Sequence, residues 1–464
     1  MEPAVGDDIL RAMLSEANVT LIERARPVAA RIEQGRVTGV KAFQLSQSRI
    51  LQIDAAVFID ATEYGDLLPL VGVGYRSGNT TSDALDLSAC VQDVTYAPII
   101  KRYDSVPPGL VLNSAPPGYG PDVAAKFAGI VTTNGIDWEA QGWAAGYPTD
   151  WKTHVSYRAT PDSSRPGDST IGDFDTITKT GLNWANDYPY TAGDLETRRF
   201  EANCEAKLHT LQFLYYMQTV LGQTQWSLAD DQGFDSPYNI EENNCPNIPA
   251  QFDELERHMT PMPYVRESRR MIGVMTMKAS DVDRAAGSGG SRKRFATSIA
   301  IGDYAMDLHA CNDAGSYEAG LESASDLPPG FVGGPFQIPM EVLIPQTLDG
   351  FLAAEKNISQ SRLVSGASRL QPSTMATGQG ACSTTEVATD PKTISEVLPP
   401  WWAPTTTMFI RSPIVARHWS GSPRASSVEM PPTVRSCSVV RASSCSVMPT
   451  TSIVVSTYLS APAP

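Results

Sequence analysis

The sequence predicts an α/β fold: a parallel sheet that carries a β-meander and is interrupted by a larger α+β insertion. Three observations predict it. Residues 55–60 read AAVFID, an almost unbroken apolar run that suits a strand buried on both faces, as parallel strands are. Ahead of it lie short runs rich in β-branched residues, separated by turn residues. Beyond it, residues from about 80 to 260 differ in texture: they are rich in Trp, Tyr, Pro, Asn and Asp and have few long periodic segments.

Taken in order, residues 7–17 place Ile9, Leu10, Met13 and Leu14 on one face at helical spacing, which predicts a short amphipathic helix. Four strand-like runs follow, at 19–22, 28–32, 37–45 and 49–53. Gln34-Gly35 marks a tight turn between the second and third, so the set reads as an antiparallel meander feeding the buried strand. Inside the insertion a helix is predicted near 195–221, where Leu208, Leu211, Leu214 and Tyr215 share a face. Strand character returns over 264–277 and 298–310. The expected division is 1–80 as a first part of a nucleotide-binding domain, 81–300 as a substrate domain and 301–382 as the return to the first domain. Residues 383–464 form a Ser-, Thr- and Pro-rich tail, expected to be disordered because it has little apolar surface to offset its ordering entropy. The tail has no Asp after Asp390 and no Lys after Lys392, so a reading-frame shift near residue 383 is the companion reading.

Composition narrows the function classes. The chain has 464 residues, 42% hydrophobic and 19% charged, in the range of a globular protein with two or three domains. Its net charge of -15 and pI near 4.8 repel nucleic acid and anionic lipid, so neither is expected as a partner. The seven cysteines are scattered and lack a C-x-x-C pair, and the five histidines lack H-E-x-x-H spacing. Neither a zinc site nor a disulfide framework is expected. The opening MEPAVGDDILRAML is not a secretory signal, and no apolar run is long enough to cross a bilayer, so a cytoplasmic location is the expectation.

Two segments carry chemistry. In FIDATEYGD (58–66) a buried strand ends at Asp60; Ala61, Thr62, Gly65 and Asp66 follow. Ligands of open α/β sheets sit at the carboxyl ends of strands, and small residues there let backbone approach a flat molecule. An ordinary strand-to-helix turn is the plain alternative. The second segment spans 353–381. Pro372 suits the first position of a helix, and Ser373, Thr374, Thr377, Gly378 and Gly380 keep that helix closely approachable. A helix N-terminus offers free N–H groups and partial positive charge. A small-residue helix packed on a sheet is the alternative here.

Together these segments resemble the FAD-dependent oxidoreductase family of two-domain, glutathione-reductase-like flavoproteins. The matches are Asp60-Ala61-Thr62 with Gly65-Asp66, then Asn357-Ile358-Ser359 through Arg369, Gln371-Pro372, Met375, Gly378 and Gln379. The phrases YVRESRRMIG (264–273), SIAIGDYAMDLH (298–309), LNWANDYP (182–189) and QGRVTGV (34–40) fit as well, and the resemblance spans roughly residues 5–382. It implies a GR-type FAD-binding domain, FAD as cofactor, and hydride transfer from a small-molecule substrate to flavin N5. It also implies cofactor contacts from Asp60, Ala61, Thr62, Gly65, Asp66, Asn357, Ser359, Arg369, Gln371, Pro372, Met375, Gly378 and Gln379. The helix from Pro372, with Arg369 before it, would face the pyrimidine edge of the isoalloxazine, where reduction builds negative charge. Two departures stand out. No strand–G-x-G-x-x-G–helix unit precedes residue 19, and Gly287-Ser288-Gly289-Gly290 is followed by SRKR rather than a helix opening. The FAD-binding domain is therefore read as incomplete, with its N-terminal unit missing. After Gln379 the family's small-residue helix gives way to Gly380-Ala381-Cys382-Ser383-Thr384.

His309 and Arg266 are the catalytic candidates. His309 could hydrogen-bond substrate or serve as a base near neutral pH; a satisfied structural histidine is the alternative. Arg266 could anchor a substrate carboxylate or a pyrophosphate; pairing of the arginines with Glu267 or nearby acids is the alternative. Strand alternation would put Arg266 and Arg270 on one side and Arg269 on the other. Trp184, Tyr188 and Tyr190 line a cleft or simply pack the core. The rival to an active enzyme is a non-catalytic fragment, or a binding module derived from a flavoprotein.

Overall fold

A computed structural model of the chain describes residues 2–17, 19–80, 84–132, 149–163, 174–237, 244–282, 293–311, 318, 320–322, 335–387 and 452–455. The first helix runs Pro3–Glu16, opening on proline, whose missing N–H costs nothing at that position. Just before it, Glu2 is buried, receiving the Lys179 ammonium at 2.5 Å and the Ser163 N–H at 2.8 Å. The chain start is thereby tied to the insertion.

Strands Ala25–Glu33, Arg36–Gln44 and Arg49–Asp54 form the expected antiparallel meander. Gln34 and Gly35 at its first turn both take left-handed φ, 52° and 76°, the conformation of the tightest hairpin loops. The run at 19–22 forms no strand: Leu21 and Ile22 are exposed, without a neighbouring strand to pair with.

The apolar run becomes strand Val57–Asp60, which pairs in parallel with Phe351–Ala353, placing Ala353 opposite Asp60. Two stretches some 290 residues apart thus end side by side at one edge of the sheet. Ser452–Val455 pairs in parallel along the other side of Val57–Asp60. These four tail residues are ordered as a strand where disorder is expected. Their Ser-Ile-Val-Val sequence is β-branched, as strands prefer, and the helix of the second segment runs on to Val387. The rest of the tail, and Gly287–Gly290, lie outside the described residues.

The largest apolar core is drawn mostly from residues 89–265. A four-stranded antiparallel sheet, in order Ala159–Thr160, Lys179–Gly181, Ile99–Arg102 and Trp226–Leu228, packs with a second pair formed by Cys90–Val94 and Tyr188–Thr191. The predicted helix is two. Ala192–Thr197 is closed by a capping box between Thr191 and Asp194, and Arg199–Thr219 follows. The second is buried nearly all round, and Lys207 inside it is held by Glu256 at 3.2 Å.

Two expectations fail here. The 264–277 stretch is not a continuous strand; only Arg270–Met271 pairs, with Tyr75–Arg76. Arg266, Arg269 and Arg270 are all buried, so two-sided alternation does not hold. Each guanidinium needs acceptors, and these lie in different directions: Asp187 for Arg266, Glu196 and Asp66 for Arg269, Glu267 and Glu318 for Arg270. The second correction concerns cysteine. Cys90–Cys311 and Cys204–Cys245 are disulfides, closing separations of 221 and 41 residues. Spacing rules read local pairs, and neither bridge is local. Among the described residues no helix is long and apolar enough to cross a membrane.

Candidate functional site

At the carboxyl end of Val57–Asp60 the chain turns, and Asp60 organises the turn. Its carboxylate accepts the Thr62 N–H at 2.9 Å, the Thr62 hydroxyl at 2.7 Å and the Leu67 N–H at 3.0 Å. Complete burial pushes its carboxyl up to about 6, against the pull of these bonds. Thr62 Oγ1 in turn accepts the Asp66 N–H at 2.7 Å. Gly65 has φ 67°, and a Cβ there would meet the backbone oxygen of Arg269 at 3.1 Å, so both conformation and space demand glycine. The Asp66 carboxylate sits between Arg199, at 2.8 Å, and Arg269, at 3.0 Å. Burial opposes its charge, but the two guanidiniums outweigh that and lower its pKa.

The second segment locks onto this turn. Asn357 donates Nδ2 to the Thr62 carbonyl at 2.8 Å and to the Asp60 carbonyl at 3.3 Å. Its Oδ1 is buried with no partner among the described residues. Ser359 Oγ accepts the Gly273 N–H at 3.0 Å and lies 2.8 Å from Thr276 Oγ1, stitching the segment to the arginine stretch. The helix Gln371–Val387 then presents two kinds of glycine. A Cβ on Gly380 would strike Ile299 Cδ1 at 2.6 Å, whereas one on Gly378 would meet nothing within 4 Å among the described residues. Gln371, Pro372 and Met375 are exposed, and Ala61, Gly378 and Gln379 are partly so.

Arg369, just ahead of that helix, reaches Asp307 Oδ2 at 2.9 Å and the Tyr264 hydroxyl at 2.6 Å. Asp307 also faces His309 Nε2, at 3.4 Å, and accepts the Tyr304 hydroxyl at 3.0 Å. The other ring nitrogen, Nδ1, lies 2.6 Å from Asp187 Oδ2. Asp187 is held from behind by Arg266, Nη2 to Oδ1 at 2.9 Å, and by the Thr95 hydroxyl. One continuous chain therefore runs Arg266–Asp187–His309–Asp307–Arg369. Burial works against a charged imidazole, but hydrogen bonds to Asp187 and then Asp307 outweigh it, and the His309 pKa is raised. Asp307, despite its own burial, is held down to about 2, chiefly by His309 and then Arg369. Asp93 lies beside the chain; burial and then the Asp187 charge push it up to about 7.

His309 and Arg369, expected as separate features, are thus brought together. Arg266 joins them through Asp187, a pairing with a nearby acid that is the stated alternative for the arginines. Its fork also meets Thr95, Asn183 and the Asp93 carbonyl. The Arg270–Glu267 pair is the alternative foreseen for the arginines. Asp187 and Asp307 are the residues that sequence reasoning passed over as partners. Asp187 sits within the LNWANDYP phrase, yet nothing local signals a contact with a histidine 122 residues away.

Residues 1–400 match the model of a family described as FAD dependent oxidoreductase. No curated protein and no solved structure matches the chain.

Proposed function

The chain belongs to the FAD dependent oxidoreductase family, whose cofactor is FAD, and from that premise we propose that it oxidises a small molecule by hydride transfer to flavin N5 at the junction of its two segments. The observation that carries this reading is the weld made by Asn357. It joins the carboxyl ends of two parallel strands, where open α/β sheets bind ligands, and keeps one buried amide oxygen without a partner among the described residues. The open face at Gly378 fits a flat group lying against the helix. Asn357, Ala61, Gly378 and Gln379 would hold the flavin end, and the N-terminus of Gln371–Val387 would favour negative charge placed near it. Bound FAD supplies a two-electron acceptor.

The chain's own residues then handle the proton. A hydroxyl that gives up a hydride from its carbon must also lose its proton. His309 Nε2 suits this role because its contact to Asp307 is the looser of the two, while Asp187 fixes the ring through Nδ1. The two carboxylates favour the imidazolium, so the base form exists only above a raised pKa. Arg266 and Arg369 keep those carboxylates charged and in place.

Gly378→Val tests the cofactor position. The new side chain has free space within the protein, so stability should change by less than about 0.5 kcal/mol beyond the propensity cost of valine. FAD affinity, read by quenching of flavin fluorescence, should fall by about ten-fold or more if the flavin lies against this face. Unchanged affinity would place the flavin elsewhere.

A further inference from the structure

The short helix Trp151–Tyr157 is capped by Asp150, whose carboxylate accepts the Thr153 N–H at 2.7 Å. Trp151, His154 and Tyr157 recur every third residue and so share a face. That face meets Trp184, with ring centroids 4.8 Å from His154 and 5.1 Å from Tyr157. The deep end is closed: His154 is fully buried, neither ring nitrogen has a partner, and burial, then the charge of Arg158, lowers its pKa to about 3. It serves as a neutral flat wall. The outer end is open, with Tyr157 55% exposed.

Arg158 completes this outer end. It is exposed, and its guanidinium carbon lies 4.5 Å from the Tyr157 ring centroid and 5.6 Å from that of Trp184. Among the described residues no carboxylate pairs with it. The guanidinium thus sits between two rings at an exposed position, and a guanidinium can grip a carboxylate with two parallel bonds. In a chain of net charge -15, an exposed cation with no acidic partner among the described residues is a distinctive place for an anion to settle.

This patch is linked to the proton-handling chain. The Trp184 backbone N–H donates to Asn183 Oδ1 at 2.9 Å, and the same oxygen accepts Arg266 Nη2 at 3.2 Å. Trp184 holds φ 50°, a conformation a bulky residue keeps only where its surroundings over-determine it.

We propose that Tyr157, Arg158 and Trp184 form a subsite for a planar aromatic carboxylate on the approach to His309. This rests on His309 being the acid–base group and goes further by naming the substrate class: the carboxylate is gripped by Arg158 and the ring stacks on Tyr157. The test is a binding titration of the full chain with benzoate, its neutral counterpart benzamide, and cyclohexanecarboxylate, which keeps the charge but not the flat ring. Benzoate is expected to bind about ten-fold more tightly than either, and Arg158→Gln to remove about that factor and erase the preference over benzamide. Tyr157→Ala is expected to erase the preference over cyclohexanecarboxylate. Absence of benzoate binding, equal affinity for the three probes, or a benzoate affinity indifferent to Arg158→Gln overturns the proposal. Flavin uptake by the unaltered chain, read separately, decides the cofactor reading whichever way this titration falls.

Discussion

His309 shows how a residue's protonation is set by what surrounds it. An isolated histidine titrates near neutrality, and this one sits between two carboxylates, each backed by an arginine. The stability consequence follows in sign. Because its folded pKa is raised, the stabilisation it contributes is fully present below its ordinary value of 6.5 and is lost as pH rises through the folded value. Asp307 behaves oppositely: its stabilisation is present above the ordinary 3.8 and is lost as pH falls toward about 2. His309→Asn should flatten the neutral-to-alkaline part of a stability–pH curve and also weaken the acid part, because His309 is the chief group holding Asp307 down and Arg369 alone would remain, which denaturant melts across pH would check. In turnover the same pKa sets the acid limb: oxidation should rise with pH through a value above 6.5. A limb below 6.5 would remove His309 as the base.

At the scale of elements, local period and turn chemistry were readable. The meander, its Gln34-Gly35 turn, the buried strand at Val57–Asp60 and the helix around Pro372 all follow from sequence pattern. What the pattern could not convey is pairing across distance. Asp187 reaches His309, and Cys90 reaches Cys311, through contacts set only when the insertion folds back. The arginine stretch misled because three buried charges override the alternation of a strand. The bridges carry a prediction. Cys90–Cys311 closes the turn directly after His309, where Ala310 and Cys311 both hold left-handed φ, 71° and 56°. The His309 backbone is also tied to Asp93 and Gln92, in the strand that Cys90 begins. Removing either bridge should cost about 2–5 kcal/mol. Only Cys90→Ser with Cys311→Ser should also lower the His309 pKa, by loosening its seat; Cys204→Ser with Cys245→Ser should lower the melting temperature alone. Proton NMR of the His309 ring across pH separates the two. Disulfides persist in oxidising compartments, so the bridges weigh against the cytoplasmic expectation.

For the whole molecule, the parallel sheet is the organising feature. Val57–Asp60 has Phe351–Ala353 on one side and Ser452–Val455 on the other, so an apolar strand edge that would invite aggregation is covered from within the chain. Ending the chain before residue 452 should expose that edge; light scattering and size exclusion should then show association that the full chain lacks. Asp187 and Arg266 meet Asp307 and Arg369 through His309, so the Arg266–Asp187–His309–Asp307–Arg369 chain forms only when residues from both stretches of the sequence are folded together. The cofactor belongs to the family; the seat that would use it belongs to this arrangement of residues.

The visible absorbance of the full chain, purified and then mixed with FAD and freed of excess, tests the central claim most directly. Flavin bands that stay with the protein, at about one flavin per chain, are the predicted result. A folded protein that stays colourless would contradict it and leave a non-catalytic fragment or a binding module derived from a flavoprotein.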